Sequence, residues 1–417
     1  MPGTSTPAPA PDLTVDALVD ATPASRDRVV DLLRAVSIAV VVLWHWTFSI
    51  TQWRHGSLRM PNPIADVPGL WAATWLLQVM PLFFLVGGYA NQAGWDGVVR
   101  ARAGASALAG GASPARAFWA KRFSRLVRPV AVYVGCWTVF DLAWQASGGR
   151  SVLDWGMVVF VPLWFLGVYV GVVALVPVTA QLHARHRRTT LVALGAGILL
   201  ADLVRLGGGI EAVGLLGSAL VWIFCHQLGY VWRDWTTGLR RGGPASLLVA
   251  GGLGALVVLT QFGPYSRSMV AVRGEDVSNM FPTTACIAAL AVFQLGLVLL
   301  VRAPLTRWLQ RRRVWRTVVA ANGVAMTVFC WHMTALVAFL LAYQAAGFTL
   351  ATNPTAAWWL TRPVWIAGPA VLLAGLLAVF ARFEFGGSRG PSSPGDRRRA
   401  GPVAVHGLPT ATGNERR

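Results

Sequence analysis

Residues 28–50 read RVVDLLRAVSIAVVVLWHWTFSI, an uncharged apolar run framed by Arg28, Asp31 and Arg34 at one end and by Trp44-His45-Trp46 at the other. A helix needs about 20 residues at 1.5 Å each to cross the hydrocarbon core of a bilayer, and this stretch is long enough. Arg34 and His45 are eleven residues apart. At about 100° per residue that separation closes to within about 20° of three full turns, so both side chains fall on one face, about 16 Å apart along the axis. Asp31, one turn before Arg34, is placed to pair with the guanidinium. An ionisable residue inside a membrane helix is costly and needs a partner or a task. The competing reading is an interfacial arginine that snorkels and a histidine capped by a neighbouring carbonyl.

Moving outward, nine more apolar stretches follow, near 70–91, 129–146, 156–180, 189–206, 211–232, 244–263, 283–301, 317–343 and 362–382. With the first near 29–50, they predict an all-α membrane protein, a polytopic bundle of ten transmembrane helices over residues 29–385. Composition agrees: 55% of the residues are hydrophobic and only 13% charged, about half the charged share of a soluble chain. The net charge of +19 raises nucleic acid as a partner, but sorting the cations by side removes it. With the N-terminus inside, 29 of the 36 Lys and Arg fall on the inner side and 7 on the outer. That bias is the positive-inside rule for ten spans with both termini cytoplasmic, in a plasma membrane. Arginine outnumbers lysine so heavily, Lys121 being the sole lysine, that a GC-rich bacterial genome is expected.

Residues 1–28 and 386–417 are rich in Pro, Ala, Gly and Ser and read as disordered cytoplasmic tails. Cys136, Cys225, Cys286 and Cys330 are scattered singly through apolar runs and suggest neither a zinc site nor a disulfide framework. No metal is expected.

Depth sorts the remaining polar residues. Asp141, Asp202 and His332 fall in the outer halves of their spans, as His45 does, which raises a shared cavity open to the exterior. For Asp202 there is also a local partner, Arg205 at i+3. His226 lies toward the inner end of the sixth span. In the inner loop before the third span, Arg122, Arg125 and Arg128 repeat at i, i+3 and i+6, a stripe suited to phosphate groups and equally to lipid headgroups. The long outer loop from Tyr265 to Pro282 carries Asn279 on the acceptor side. A transporter or flippase using His45, Asp141, Asp202 and His332 as a proton relay is the alternative class. Such proteins commonly repeat a motif between halves, and the first and last five spans share none.

Four stretches then occur in order: Arg34 and His45 within D-L-L-R-A…W-H, Phe83-Phe84-Leu-Val-Gly87-Gly88-Tyr89, Arg122-x-x-Arg125-Leu-x-Arg128-Pro129, and Leu163-Trp164-Phe165-Leu166. Together they resemble the acyltransferase 3 family of integral membrane acyltransferases, over the whole span region. The chain departs from the pattern at Gly87, where the family usually carries serine. No hydrolase-like domain follows the spans, so a single transfer step is expected. The resemblance implies transfer of an acyl group, often acetyl, from a cytoplasmic acyl-CoA such as acetyl-CoA. The acceptor hydroxyl would belong to a carbohydrate, glycolipid or small metabolite. On that footing His45 is the expected general base, with an acyl-histidine intermediate as the rival. Arg34 would orient the thioester with Asp31 fixing it, and Arg122, Arg125 and Arg128 would hold donor phosphates.

Overall fold

The computed structural model describes residues 14–103, 113–238 and 243–385. Ten helices long and apolar enough to span a membrane run in chain order: Arg28–Phe48, Leu70–Ala103, Pro114–Ala146, Met157–Ala174, Val176–Gly207, Val213–Thr236, Pro244–Phe262, Ala285–Trp308, Ala325–Ala345 and Ala356–Phe380. The protein is an all-α polytopic membrane protein. Among the described residues the sheet is one short hairpin, Gln52–Arg54 paired with Ser57–Arg59, which caps the bundle beyond the first span.

The helices pack around two apolar cores. One joins the second, fourth, sixth and eighth spans through residues such as Phe84, Phe165, Trp222 and Leu290. The other joins the first, third, ninth and tenth through Val42, Tyr133, Trp331 and Trp365. Phe83 packs against both and marks the seam. The second and sixth spans cross backbone to backbone at two glycines. A Cβ on Gly88 would run into the carbonyl of His226, and one on Gly229 into the carbonyl of Leu85.

Three stretches differ from their sequence reading. The arginine stripe is not in a loop: helix Pro114–Ala146 starts well before residue 129, with Ser113 accepting from the Arg116 amide and Pro114 at the first helical position. Pro129 sits inside it, and the carbonyl of Arg125 therefore loses its helical donor. The ninth stretch is two helices, Arg312–Gly323 and Ala325–Ala345, broken at Val324. The second is broken as well, at Gln78, between Thr74–Leu77 and Met80–Ala103. Irregular backbone at membrane depth is tolerated where it lines a cavity, and both breaks do. Inside the fifth span, helix Val176–Asp202 leaves helical geometry at His186 (φ −139°, ψ 45°), where the sequence reading placed the connection between 180 and 189.

The described part of the N-terminal segment is folded rather than disordered. Helix Val15–Asp20 docks on Arg312–Gly323, burying Val19 and pairing Asp16 with Arg316 at 3.2 Å and Asp20 with Arg312. The remaining tail residues, 1–13 and 386–417, lie outside the described residues.

Candidate active site

Arg34, Ile38, Val41 and His45 recur at four, three and four residues along the first span and so form one stripe. Its two ends line two different cavities. The first, of about 400 Å³, lies at the end where this span begins. Arg34, Arg122, Arg125 and Arg128 all line it, so four guanidinium groups from two helices face one space. Arg122 is half-buried, donates to the Ala90 carbonyl and lies 5.8 Å over the Phe118 ring, while Arg125 and Arg128 are exposed.

Asp31 is buried and engaged more closely than the sequence suggested. It accepts two hydrogen bonds from Arg26, at 2.6 and 2.9 Å, and stands 3.5 Å from Arg34. Arg26 was not singled out from sequence because it precedes the apolar run. Two further groups at this cavity also escaped sequence reading. Asn322 donates to the Asp31 carbonyl at 2.9 Å, tying the first span to the break before the ninth. Glu384 caps that break, accepting from the Met326 and Thr327 amides at 3.0 and 2.9 Å. Burial pushes the Glu384 carboxyl above its usual range, opposed by those hydrogen bonds. Only Gly323, at the end of the helix before the break at Val324, would have signalled either.

The second cavity, of about 330 Å³, is lined by His45 and His332. The His45 Nδ1 lies 2.9 Å from the Val41 carbonyl and the His332 Nδ1 2.8 Å from the Phe329 carbonyl. A carbonyl only accepts, so both rings carry their proton on Nδ1. The His332 Nε2 is then a lone pair, 3.3 Å from the His45 Nδ1–H, which it shares with Val41. His45 is left with Nε2 unprotonated and, among the described residues, without a hydrogen-bond partner. His332 is itself fully buried, and its carbonyl accepts from the Trp46 indole at 3.1 Å.

Phe165 and Phe329 line both cavities and meet edge to face with ring centroids 5.4 Å apart. These two rings are the partition between the arginine cavity and the histidine cavity. Gly87 lies beside it: a Cβ there would stand 2.6 Å from the Tyr169 ring and 2.8 Å from its hydroxyl. Tyr169 thus fills the room a serine side chain would take.

Of the four acceptor-side candidates, His332 alone lines the cavity of His45. Asp141 accepts from the Val152 amide at 2.7 Å and from Ser151 and Gln145, holding a surface turn. Asp202 accepts from the Ala285 amide at 2.7 Å and the Tyr265 hydroxyl at 3.0 Å, anchoring the start of the eighth span. Arg205 pairs with Glu211, at 2.9 Å. Asn279 is fully buried and donates to the Ser266 and Ser268 carbonyls, shaping the loop whose Val270, Ala271 and Met280 roof the histidine cavity. His226 is buried against Asn91, 3.1 Å away. These groups build walls; they do not face the space.

A ten-span bundle carrying a cation-lined and a histidine-lined cavity separated by one aromatic partition defines a polytopic membrane protein with a two-chambered internal site. A family model for an acyltransferase domain, Acyl_transf_3, matches residues 27–381, and the chain belongs to that family of acyl-transferring enzymes. No curated protein and no solved structure matches it.

Proposed function

We propose that the protein transfers an acyl group, acetyl in the simplest case, from an acyl-CoA to a hydroxyl of a carbohydrate or other cell-envelope or secreted acceptor. The observation that carries this reading is the stripe from Arg34 to His45, with one end in the arginine cavity and the other in the histidine cavity. The arginine end faces the cytoplasm of a plasma membrane, as the 29 to 7 distribution of cations supports. Arg122, Arg125 and Arg128 hold the donor's phosphates, and Arg34, fixed by Asp31 and Arg26, steers the arm. The thioester enters between Phe165 and Phe329. His45 Nε2 takes the proton of the acceptor hydroxyl, whose oxygen bonds to the thioester carbon. The carbon–sulfur bond breaks, and the departing thiolate recovers the proton from His45. The Val41 carbonyl holds the His45 ring in the tautomer this requires, with His332 sharing the same Nδ1–H.

Replacing His45 with Ala removes the base and is expected to lower turnover of acetyl-CoA by about a hundredfold or more. Arg122→Ala is expected to raise the donor KM by roughly 10- to 100-fold with a smaller effect on kcat, since a charged hydrogen bond is worth about 1.5–3 kcal/mol. Steady-state kinetics on both variants in lipid nanodiscs measures this. Full turnover by His45→Ala sinks the role of the histidine.

A further inference from the structure

The largest of the three spaces around the site, about 850 Å³, lies between the fourth and sixth spans. Trp164, Val168, Gly171 and Leu175 form its wall on the fourth span, a stripe at the same four, three, four spacing. Leu215 and Ala219 face them from the sixth. Its rim is open, with Trp164, Leu175 and Leu215 all exposed, so in a bilayer it is reached from the hydrocarbon. The two polar side chains on its border are turned to the backbone: Ser218 donates to the Gly214 carbonyl and Thr283 to the Met280 carbonyl. Apart from the indoles of Trp164 and Trp222 the rest of its lining is apolar, and no charged side chain in it could hold a phosphate. Trp164 and Met280 also line the histidine cavity, so the groove lies directly against the space of His45 and shares these two side chains with it. The neighbouring residue, Phe165, is the partition to the arginine cavity. Trp164-Phe165 is therefore the point where all three spaces meet.

We propose that this groove holds the aliphatic or isoprenoid chain of the acceptor, so that the hydroxyl acylated at His45 belongs to a lipid-borne compound whose polar head occupies the histidine cavity. The proposal rests on the acyl-transfer reading above and extends it to the acceptor's class. The donor reaches His45 from the opposite side of Phe165, which leaves the groove to the second substrate. Lipid tails are as apolar as the groove, so it gains little from burial. What it supplies is position, holding the chain in register so that attack becomes effectively unimolecular.

Gly171 provides a test, because it lines the groove and a Cβ there meets nothing within 4 Å, so a side chain can start into the groove without displacing the backbone around it. Gly375, equally open but on the tenth span, is the control. Cells producing wild type, His45→Ala, Gly171→Phe or Gly375→Phe at equal membrane levels are extracted with chloroform and methanol, and both phases are compared by mass spectrometry. The expected result is an acylated species in the organic phase that is lost in His45→Ala, falls at least about tenfold in Gly171→Phe and persists in Gly375→Phe. A His45-dependent species confined to the aqueous phase, or one unchanged in Gly171→Phe, overturns the lipid-borne acceptor and leaves acyl transfer standing. Absence of any His45-dependent acylation in either phase removes the acyl-transfer reading, and this proposal with it.

Discussion

At His45 the chemistry depends on one proton and where it sits. The Val41 carbonyl accepts from the His45 Nδ1–H and the His332 Nε2 shares that hydrogen at 3.3 Å, so the neutral ring presents Nε2 as its base. His332→Ala leaves the bond to Val41 in place and forfeits only the shared contact. A neutral hydrogen bond is worth about 1 kcal/mol, so kcat is expected to fall by no more than about tenfold, well short of the loss in His45→Ala. Equal losses in the two variants would show instead that both rings act on substrate. Gly87→Ser pushes a Cβ against Tyr169, and that ring moves into the arginine cavity, raising the donor KM. An unchanged KM would mean that the displaced ring does not border the donor's path. Arg34 and His45 were legible because eleven residues on a helix is a fixed angle. Asp141, Asp202 and Asn279 were not: a polar residue at that depth looks the same in sequence whether it caps a helix end or faces a cavity, and only the partners from distant segments decide.

At the level of elements, the site is made by interruptions. The second span breaks at Gln78 and supplies Thr74, Leu77 and Met80 to the histidine cavity; helix Arg312–Gly323 stops at Val324, just before the ninth span, and the two sides of that stop supply Asn322 and Met326 to the arginine cavity. Hydropathy averaged over a span smooths such breaks away, which is why residues 317–343 read as one helix. The docked helix Val15–Asp20 was hidden for another reason, since its partner lies nearly 300 positions later in the chain. Leu18 from this helix borders the arginine cavity, so its attachment matters to the site. The Arg312 hydrogen bond holds the Asp20 carboxyl below its usual range. A lowered carboxylate pKa contributes attachment that is complete above the unfolded value of 3.8 and lost as the pH falls through the folded one. Hydrogen exchange of the 15–20 amides is therefore expected to stay slow down to the ordinary carboxylate range and to quicken below it, and to be fast at neutral pH in Arg312→Ala. Protection that fades on acidification while the pH is still well above the Asp range would contradict this ion pair as the clasp.

At the scale of the molecule, two cores meet at a seam and the cavities occupy it. Ten spans and their order follow from hydropathy and the placement of arginine, because a membrane penalises any other arrangement. The joining of three spaces at Trp164-Phe165 follows only from packing, where Phe329 arrives from a span far away in sequence. A donor is expected to cross this seam from the arginine side. The direct measurement is the structure of the protein in lipid nanodiscs with coenzyme A bound. The nucleotide phosphates are expected within hydrogen-bonding reach of Arg122 and its neighbours Arg125 and Arg128, with the thiol at Phe165 and Phe329, pointing to His45. A nucleotide seated elsewhere, or an arm directed away from His45, would contradict it.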